Sequence, residues 1–229
     1  MNIFFKLLLP VAFFMLVQHS LLGQEVEKKR LMRNINVPTK SHIFPSLTGD
    51  GLYMIFYSDY SNTGNFELKY SKKTGPEFWE EAKYVENLVK HHNDHFGSYN
   101  VSHDGRSLYF TSHRAAGIGK YDLWFAERSG DGWSAPQNPG KPLNSPENDG
   151  NPSLSPDGRA IYFMRCQEMD AKNKKNCKIF MARKISETRW GEPEPLPDVI
   201  NGYHSTTPRI LIDNETLFYS SERPGGKGG

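Results

Sequence analysis

The densest group of side chains that could bind a metal is residues 91–95, which read His-His-Asn-Asp-His. Three imidazoles and a carboxylate are chemically suited to zinc. Their spacing, however, is not that of a helical or paired-ligand zinc site. We therefore interpret this segment as a solvated polar connection, and we predict no metal site and no cofactor.

Four carboxylates recur at a regular spacing, and each is followed by a residue that tolerates positive φ. The pairs are Asp50–Gly51, Asp104–Gly105, Asp157–Gly158 and Asp213–Asn214, with the aspartates 54, 53 and 56 residues apart. Asp-Gly dipeptides are typical of tight turns between strands. Because a catalytic group is normally used once, the repetition favours turn stabilisation over catalysis.

The two cysteines, Cys166 and Cys177, flank a polar loop without glycine or proline. In an oxidising compartment they predict a disulfide across the base of this loop, worth about 3 kcal/mol on the chain-entropy model. Two independent thiols are the alternative. The spacing is not that of a C-x-x-C redox motif, so redox catalysis is not indicated.

Known catalytic motifs are absent from the sequence: it has no G-x-S-x-G, no H-E-x-x-H and no P-loop. Residues 129–133, Ser-Gly-Asp-Gly-Trp, resemble the repeated box of sialidase propellers only loosely, because the glycine and tryptophan come too early. A glycosidase would also need two carboxylates about 5–10 Å apart in one pocket. We predict no catalytic residue, with a glycoside hydrolase or lyase as the alternative.

Composition indicates many short strands rather than helices. Aromatic residues make up 13% of the chain, with 20 glycines, 15 prolines and a mean hydropathy of −0.65. The formal net charge is +2, and loss of Lys6 with the signal described below leaves the mature chain close to neutral. Without a basic stripe, a nucleic-acid partner is not expected.

The segment 151–165, NPSLSPDGRAIYFMR, predicts a strand, a tight turn and a strand, and similar segments recur along the chain. Tryptophans keep the same period, since Trp79, Trp133 and Trp190 are 54 and 57 residues apart. Two unrelated residue types with one period indicate a structural repeat. Each repeat is predicted to hold four short strands, the outermost one following the tryptophan.

One such sheet cannot bury both faces, so successive sheets must pack face to face, as the blades of a propeller do. The predicted fold is therefore an all-β β-propeller with four-stranded blades. The repeats are 41–94, 95–147, 148–203 and 204–229. The fourth lacks its third and outer strands, so we expect a truncated array of three complete blades and part of another. The predicted blade-packing residues are Trp79, Trp124, Trp133 and Trp190.

The motif Pro152–Arg159, the strand behind it and the run Tyr121-Asp122-Leu123-Trp124 resemble the WD-like propeller repeat of bacterial TolB-type proteins. The resemblance covers residues 42–229 and is closest to long-repeat versions, often found with OmpA-like domains. It implies a cell-envelope protein with a protein or peptidoglycan-associated partner, or a glycan. The first repeat departs from the pattern, with Gly49 in place of proline and Leu68-Lys69-Tyr70 in place of the Leu-Trp pair.

Four polar residues lie just before the innermost strand of each predicted repeat: His42, His95, Asp149 and His204. Loops at this position open near the axis of a propeller. We hypothesise that the four residues form a ring that touches a ligand, ion or partner. The alternative is simple loop capping.

The N-terminus predicts export. Lys6 precedes the apolar run Leu7–Val17, which is shorter than the ~20 residues of a membrane span, and cleavage is expected near Gly23/Gln24. Residues 1–23 are thus the signal peptide and 24–40 a leader that could add one strand. No cysteine follows the signal, so a lipid anchor there is excluded.

Together these features predict a non-enzymatic binding or scaffolding module in the periplasm or cell envelope. Its recognition surface would be formed by loops on a rigid β scaffold. A glycan-cleaving propeller is the first alternative. A gene fragment without independent function is the second.

Overall fold

A computed structural model describes residues 35–37, 39–59, 66–85, 88, 99–130, 132–169 and 174–226. The predicted signal peptide, most of the leader and the polar connection 91–95, with His95, lie outside the described residues. The described part of the leader contains no strand.

Four antiparallel sheets follow one another along the chain. Sheet 1 comprises β1 (His42–Leu47), β2 (Tyr53–Ser58), β3 (Glu67–Lys72) and β4 (Lys83–Tyr84) in that order. Sheet 2 comprises β5 (Tyr99–Val101), β6 (Ser107–Ser112), β7 (Asp122–Ser129) and β8 (Gly132–Trp133), also in order. Sheet 3 holds β9 (Asn148–Leu154), β10 (Ala160–Met169), β11 (Lys174–Ser186), β12 (Arg189–Trp190) and β13 (Glu194–Pro195). Sheet 4 is the pair β14 (Ser205–Ile210) and β15 (Leu217–Ser221). The all-β prediction is confirmed, since the described residues hold one short helix, α1 (Asp198–Asn201).

The outermost strand matches the prediction in sheet 1, where β4 follows Trp79, and differs from it in sheets 2 and 3. In these two sheets the tryptophan is part of an outer strand rather than before it, because Trp133 pairs with Arg128 and Trp190 with Lys184. Further along the chain, a second segment pairs with the same strand as the tryptophan does. In sheet 3 this segment is β13, which pairs with β11, and in sheet 2 it is a single bridge from Gln137 to Phe125 of β7. The outer edge of each of these sheets is thus built from two short pieces.

The innermost strands β1, β9 and β14 share a bulge. The pairing register shifts within each strand, and the residue at the shift has positive φ: 53° at Phe44, 54° at Asn151 and 53° at Thr207. Each of the three is followed by a proline, which has no N–H to donate to a ladder. Because the extra residue of a bulge is not paired, the proline needs no N–H at this point. The bulge also bends the strand.

The first three predicted turns have one hydrogen-bond pattern. In the third, Ser155 Oγ donates to Asp157 Oδ1 at 2.5 Å, the same carboxylate accepts from Arg159 N at 3.0 Å, and Gly158 has φ 67°. The carboxylates of Asp50 and Asp104 accept equivalent bonds. The fourth turn keeps the backbone bond, from Glu215 N to Asp213 Oδ1 at 3.0 Å, but its hydroxyl donor is Thr216, whose N–H also donates to this carboxylate. Asn214 adopts φ 58°.

Apolar side chains pack between successive sheets. One cluster joins Ile55 and Leu68 of sheet 1 to Leu108, Trp124 and Trp133 of sheet 2. A second cluster joins sheets 2 and 3, with Trp190 meeting Tyr109 edge-on at 6.1 Å between ring centroids.

Trp79 is only partly buried and packs beside Met54 and Phe56, where Ile35 of the leader is 2% exposed. Within the described residues, Ile35 therefore packs on the face of sheet 1 that carries Met54 and Phe56.

Helix α1 was not expected from the sequence, and it serves to place Asn201. The side-chain amide of Asn201 accepts from Ile179 N and donates to Ile179 O, both at 2.8 Å. Asn144 makes the same pair of bonds with Leu123 at 2.9 Å. A buried amide thus replaces a missing strand partner beside β7 and β11.

The predicted disulfide between Cys166 and Cys177 is present. The two residues are directly paired across β10 and β11, so the bond lies within sheet 3 rather than below a separate loop.

Candidate functional site

A cleft of about 500 Å³ separates sheets 2 and 3 at their turn ends. Sheet 2 contributes residues around its Asp104 turn, together with Ser107 and Tyr109. Sheet 3 contributes Leu154, the turn 156–159 and the end of β11 with the residues after it, 184–187. A volume of this size is typical of small-ligand sites.

The corresponding space between sheets 1 and 2 is almost closed, with a volume of about 10 Å³. There the ring of Tyr53, the first residue of β2, is covered by the Arg128 guanidinium at 4.0 Å from the ring centroid. Ser107 occupies the equivalent first position of β6. Lys184, the counterpart of Arg128, lies 5.5 Å from the ring of its own neighbour Trp190. The second gap, which is open, thus has a small side chain at the position that Tyr53 fills in the first.

The turns also differ between the two gaps. Gly49 N donates to His103 O at 2.7 Å, which joins the first two turns. A Cβ at Gly49 would lie 2.1 Å from the His103 ring, so a larger residue here would force this exposed side chain to move. Proline, expected here from the repeat pattern, would lose the N–H and clash. The described residues show no such bond between His103 and Pro156, so the second and third turns are not joined in this way.

Side chains of both charge signs line the cleft. The cations are Arg159 and Lys184, and the carboxylates are Asp104, Asp157 and Glu187. The bond from Ser155 Oγ and that from Arg159 N lower the pKa of Asp157. For Asp104 burial raises the pKa, but the bonds from Ser102 Oγ and Arg106 N outweigh it, and the pKa is lowered. Both turn carboxylates are therefore ionised near neutral pH and already bonded within their turns.

Tyr109 forms part of the back wall of the cleft. Burial raises its pKa to about 12, although a hydrogen bond from the Trp190 side chain opposes the shift, so the phenol is neutral at physiological pH and keeps its O–H. The polar lining of the cleft thus suits a ligand that forms hydrogen bonds rather than a purely apolar one.

Each of the three described residues of the predicted ring accepts hydrogen bonds from other residues of this chain. Asp149 lies inside β9, fully buried, and accepts bonds from Arg165 Nε at 2.6 Å, Ser145 N at 2.7 Å and Ser145 Oγ at 2.8 Å. A ligand at Asp149 would have to displace the Arg165 guanidinium.

The two described histidines of the predicted ring accept backbone hydrogen bonds. His42 Nε2 accepts from Val37 N, and His204 Nδ1 from Cys177 N, both at 3.2 Å. Burial lowers the pKa of His42. Strand pairing places Ser205, not His204, at the position equivalent to His42 and Asp149. The ligand ring stays a prediction.

Sequence reasoning missed Ser107, Arg165 and the two buried asparagines. Asn144 and Asn201 are 57 residues apart, the same interval as Trp133 and Trp190, so their spacing was a usable signal. Ser107 gave no signal, because its effect depends on what faces it across the gap.

Comparison with known proteins supports the fold. No protein-family model matches the chain, and no curated protein matches it in sequence. Among solved structures, TolB from Acinetobacter baumannii is similar with a TM-score of 0.54 at 13% identity, covering 82% of this chain and 39% of TolB. The chain thus spans well under half of the TolB chain.

Two glycoside hydrolases are more weakly similar. An alpha-L-arabinofuranosidase from Lactobacillus brevis has a TM-score of 0.47 at 14% identity, over 80% of this chain and 67% of the enzyme. A thermostable family-43 glycoside hydrolase has a TM-score of 0.45 at 14% identity, over 78% and 64%. The chain has a propeller-like, all-β fold. Its described residues include no helix with the length and apolar character that a bilayer crossing requires.

Proposed function

We propose that this chain is an exported, non-enzymatic β-propeller module that binds a partner in the bacterial cell envelope. In this proposal each sheet is one blade, with three complete blades and part of a fourth. The partner is an envelope or peptidoglycan-associated protein, or a glycan, and it binds at the cleft between sheets 2 and 3.

The proposal rests on one observation about the open cleft: the two aspartates in its turns accept hydrogen bonds from residues of those same turns. Asp104 and Asp157 accept bonds from a hydroxyl and a backbone N–H within their own turns. General acid catalysis needs a carboxyl group with a raised pKa, whereas the pKa values of both residues are lowered. A pocket without a suitable acid at these two positions favours binding over glycan cleavage.

Export is supported by the disulfide between Cys166 and Cys177, because such bonds persist in oxidising compartments. It is also supported by the predicted signal sequence. The similarity to TolB supports the fold of the proposed module and not its partner.

A glycoside hydrolase or lyase is the second candidate, favoured by the three carboxylates that line the cleft. Purified residues 24–229, after a cooperative thermal transition has been verified, should release no product from a panel of envelope and plant glycans. Turnover that is abolished by Asp157→Asn or Glu187→Gln would refute the binding proposal in favour of the enzyme.

Site-directed crosslinking tests the binding itself. A photo-crosslinking residue at Ser186, exposed at the cleft, should capture a discrete envelope partner in living cells. The same residue at Glu215, exposed in the turn of sheet 4, is the matched control and should capture none. Equal capture from both positions would contradict recognition by the cleft.

A further inference from the structure

The gap between sheets 1 and 2 indicates which kind of side chain fits between two adjacent sheets of this protein. It is occupied by the phenol ring of Tyr53, and the guanidinium of Arg128 lies 4.0 Å from the centroid of that ring. The cation comes from one sheet and the ring from the other. Such a pair gains from cation–π attraction and from the apolar contact of the ring.

The lining of the two gaps corresponds position by position. Ser102, Tyr109 and Leu154 of the open cleft stand where Thr48, Ile55 and Val101 stand in the closed one. Gly158 and Lys184 likewise stand in the positions of Gly105 and Arg128. The cation and the glycine are therefore retained, and the ring is missing because Ser107 replaces Tyr53.

We infer that the cleft binds an aromatic side chain of a partner polypeptide, which takes the place that Tyr53 fills in the first gap. This inference rests on the proposed binding function and names the group that is recognised. The ring would lie over Ser107, beside Gly158 and within reach of the Lys184 ammonium. No side chain blocks it at Gly158, where even an added Cβ would meet nothing within 4 Å.

Two further features at the cleft suit a phenol ring. Ile185 is 61% exposed at the rim and offers apolar surface to the edge of a ring. The Glu187 carboxylate at the cleft can accept a bond from a phenol hydroxyl, so tyrosine is the aromatic residue chosen for the test.

The test is a titration of the oxidised protein with N-acetyl-L-tyrosinamide, followed by amide NMR shifts. We expect saturable shifts centred on Ser107 and Gly158, and none with N-acetyl-L-alaninamide or N-acetylglucosamine. Ser107→Tyr restores the intramolecular ring and should weaken binding at least about ten-fold. Lys184→Gln removes the cation and should weaken it about two- to five-fold, the usual range for an exposed cation–π contact.

Tyr53→Ser supplies the converse variant, because it should open the first gap and raise the number of binding sites from one to two. Binding of N-acetylglucosamine without N-acetyl-L-tyrosinamide would overturn the inference, as would unchanged affinity in Ser107→Tyr. If Ser107→Tyr does not fold, unchanged affinity in Lys184→Gln overturns it instead. If N-acetyl-L-tyrosinamide does not bind, the inference of an aromatic site fails, but the results of the glycan and crosslinking experiments still stand. Glycan turnover, in contrast, would refute the proposed function and would leave the result of this titration unchanged.

Discussion

Replacement of Arg165 by methionine should destabilise the protein strongly, and the loss should depend on pH. Arg165 is the charged partner of Asp149, with 2.6 Å between Nε and Oδ1. The Asp149 side chain is fully buried and that of Arg165 is 15% exposed. Methionine keeps much of the apolar stem that packs near Phe180, whose ring centroid is 4.8 Å from the guanidinium carbon. The substitution therefore removes mainly the charge and its hydrogen bonds.

The expected magnitude follows from this burial. Loss of one partner of a buried ion pair typically costs about 3–5 kcal/mol, because the remaining charge is uncompensated. Ser145 still donates two bonds to the Asp149 carboxylate, which favours the lower part of that range. For a domain of this size, 3 kcal/mol corresponds to a fall of roughly 6–12 °C in Tm.

The pH dependence has a definite sign. Burial raises the pKa of Asp149 in the folded protein, while the charge and hydrogen bond of Arg165 oppose this shift. Because the folded pKa is raised, the contribution of Asp149 to stability is fully present below its unfolded pKa and is lost as pH rises through the folded pKa. Arg165→Met raises the folded pKa further. The variant should therefore lose most stability at neutral pH and approach the wild type near pH 4.

Urea unfolding of the oxidised protein at pH 7.0 and about pH 4.5 measures both effects. The matched control is Asp149→Asn/Arg165→Met, which removes the buried charge and should recover a large part of the loss at pH 7.0. An equal loss at the two pH values, or a double variant as unstable as the single one, would show that the pair is not a buried charge pair in solution.

Three further predictions concern structural residues. Reduction of the Cys166–Cys177 disulfide, or its replacement by two alanines, should lower the unfolding free energy by about 2–3 kcal/mol, because the unfolded chain gains freedom; equal denaturant midpoints with and without reductant would contradict this. Asn201→Leu should cost about 2–4 kcal/mol, because it leaves the buried N–H and C=O of Ile179 without their partner; amide hydrogen exchange at Ile179 should accelerate, and unchanged protection would be the contrary result. Gly158→Ala should cost about 1–2 kcal/mol through its φ of 67° alone, since the added methyl meets no neighbour, and Gly158→Asn should cost less in the same unfolding assay.

Local and periodic features were readable without coordinates. The Asp-Gly turns, strand content and disulfide pairing depend on residues close in sequence or repeated at one interval, such as Asp104 and Asp157. The two-piece outer strand, helix α1 and the bulges at Asn151 and its counterparts were not predicted. Their backbone partners lie 4 to 15 residues away, as in Asn201 N to Pro197 O and the Phe180–Pro195 pair, so distance along the chain does not explain the miss. These features have no turn motif or residue that recurs in all four repeats, as the turn aspartates do.

The sequence by itself predicted an all-β chain of turn-linked strands with a repeat, because composition, turn motifs and the interval between like residues can be read directly from the order of residues. Only the tertiary structure decided where that repeat is broken. Ser107 in place of Tyr53 is an ordinary substitution in a strand, yet it removes the ring that fills the first gap, and the second gap holds a cleft of about 500 Å³. Asp149 likewise reads as a polar loop residue until Arg165 is seen beside it in the paired strand. Contacts between strands and between sheets are set by packing, and packing is not visible in one dimension.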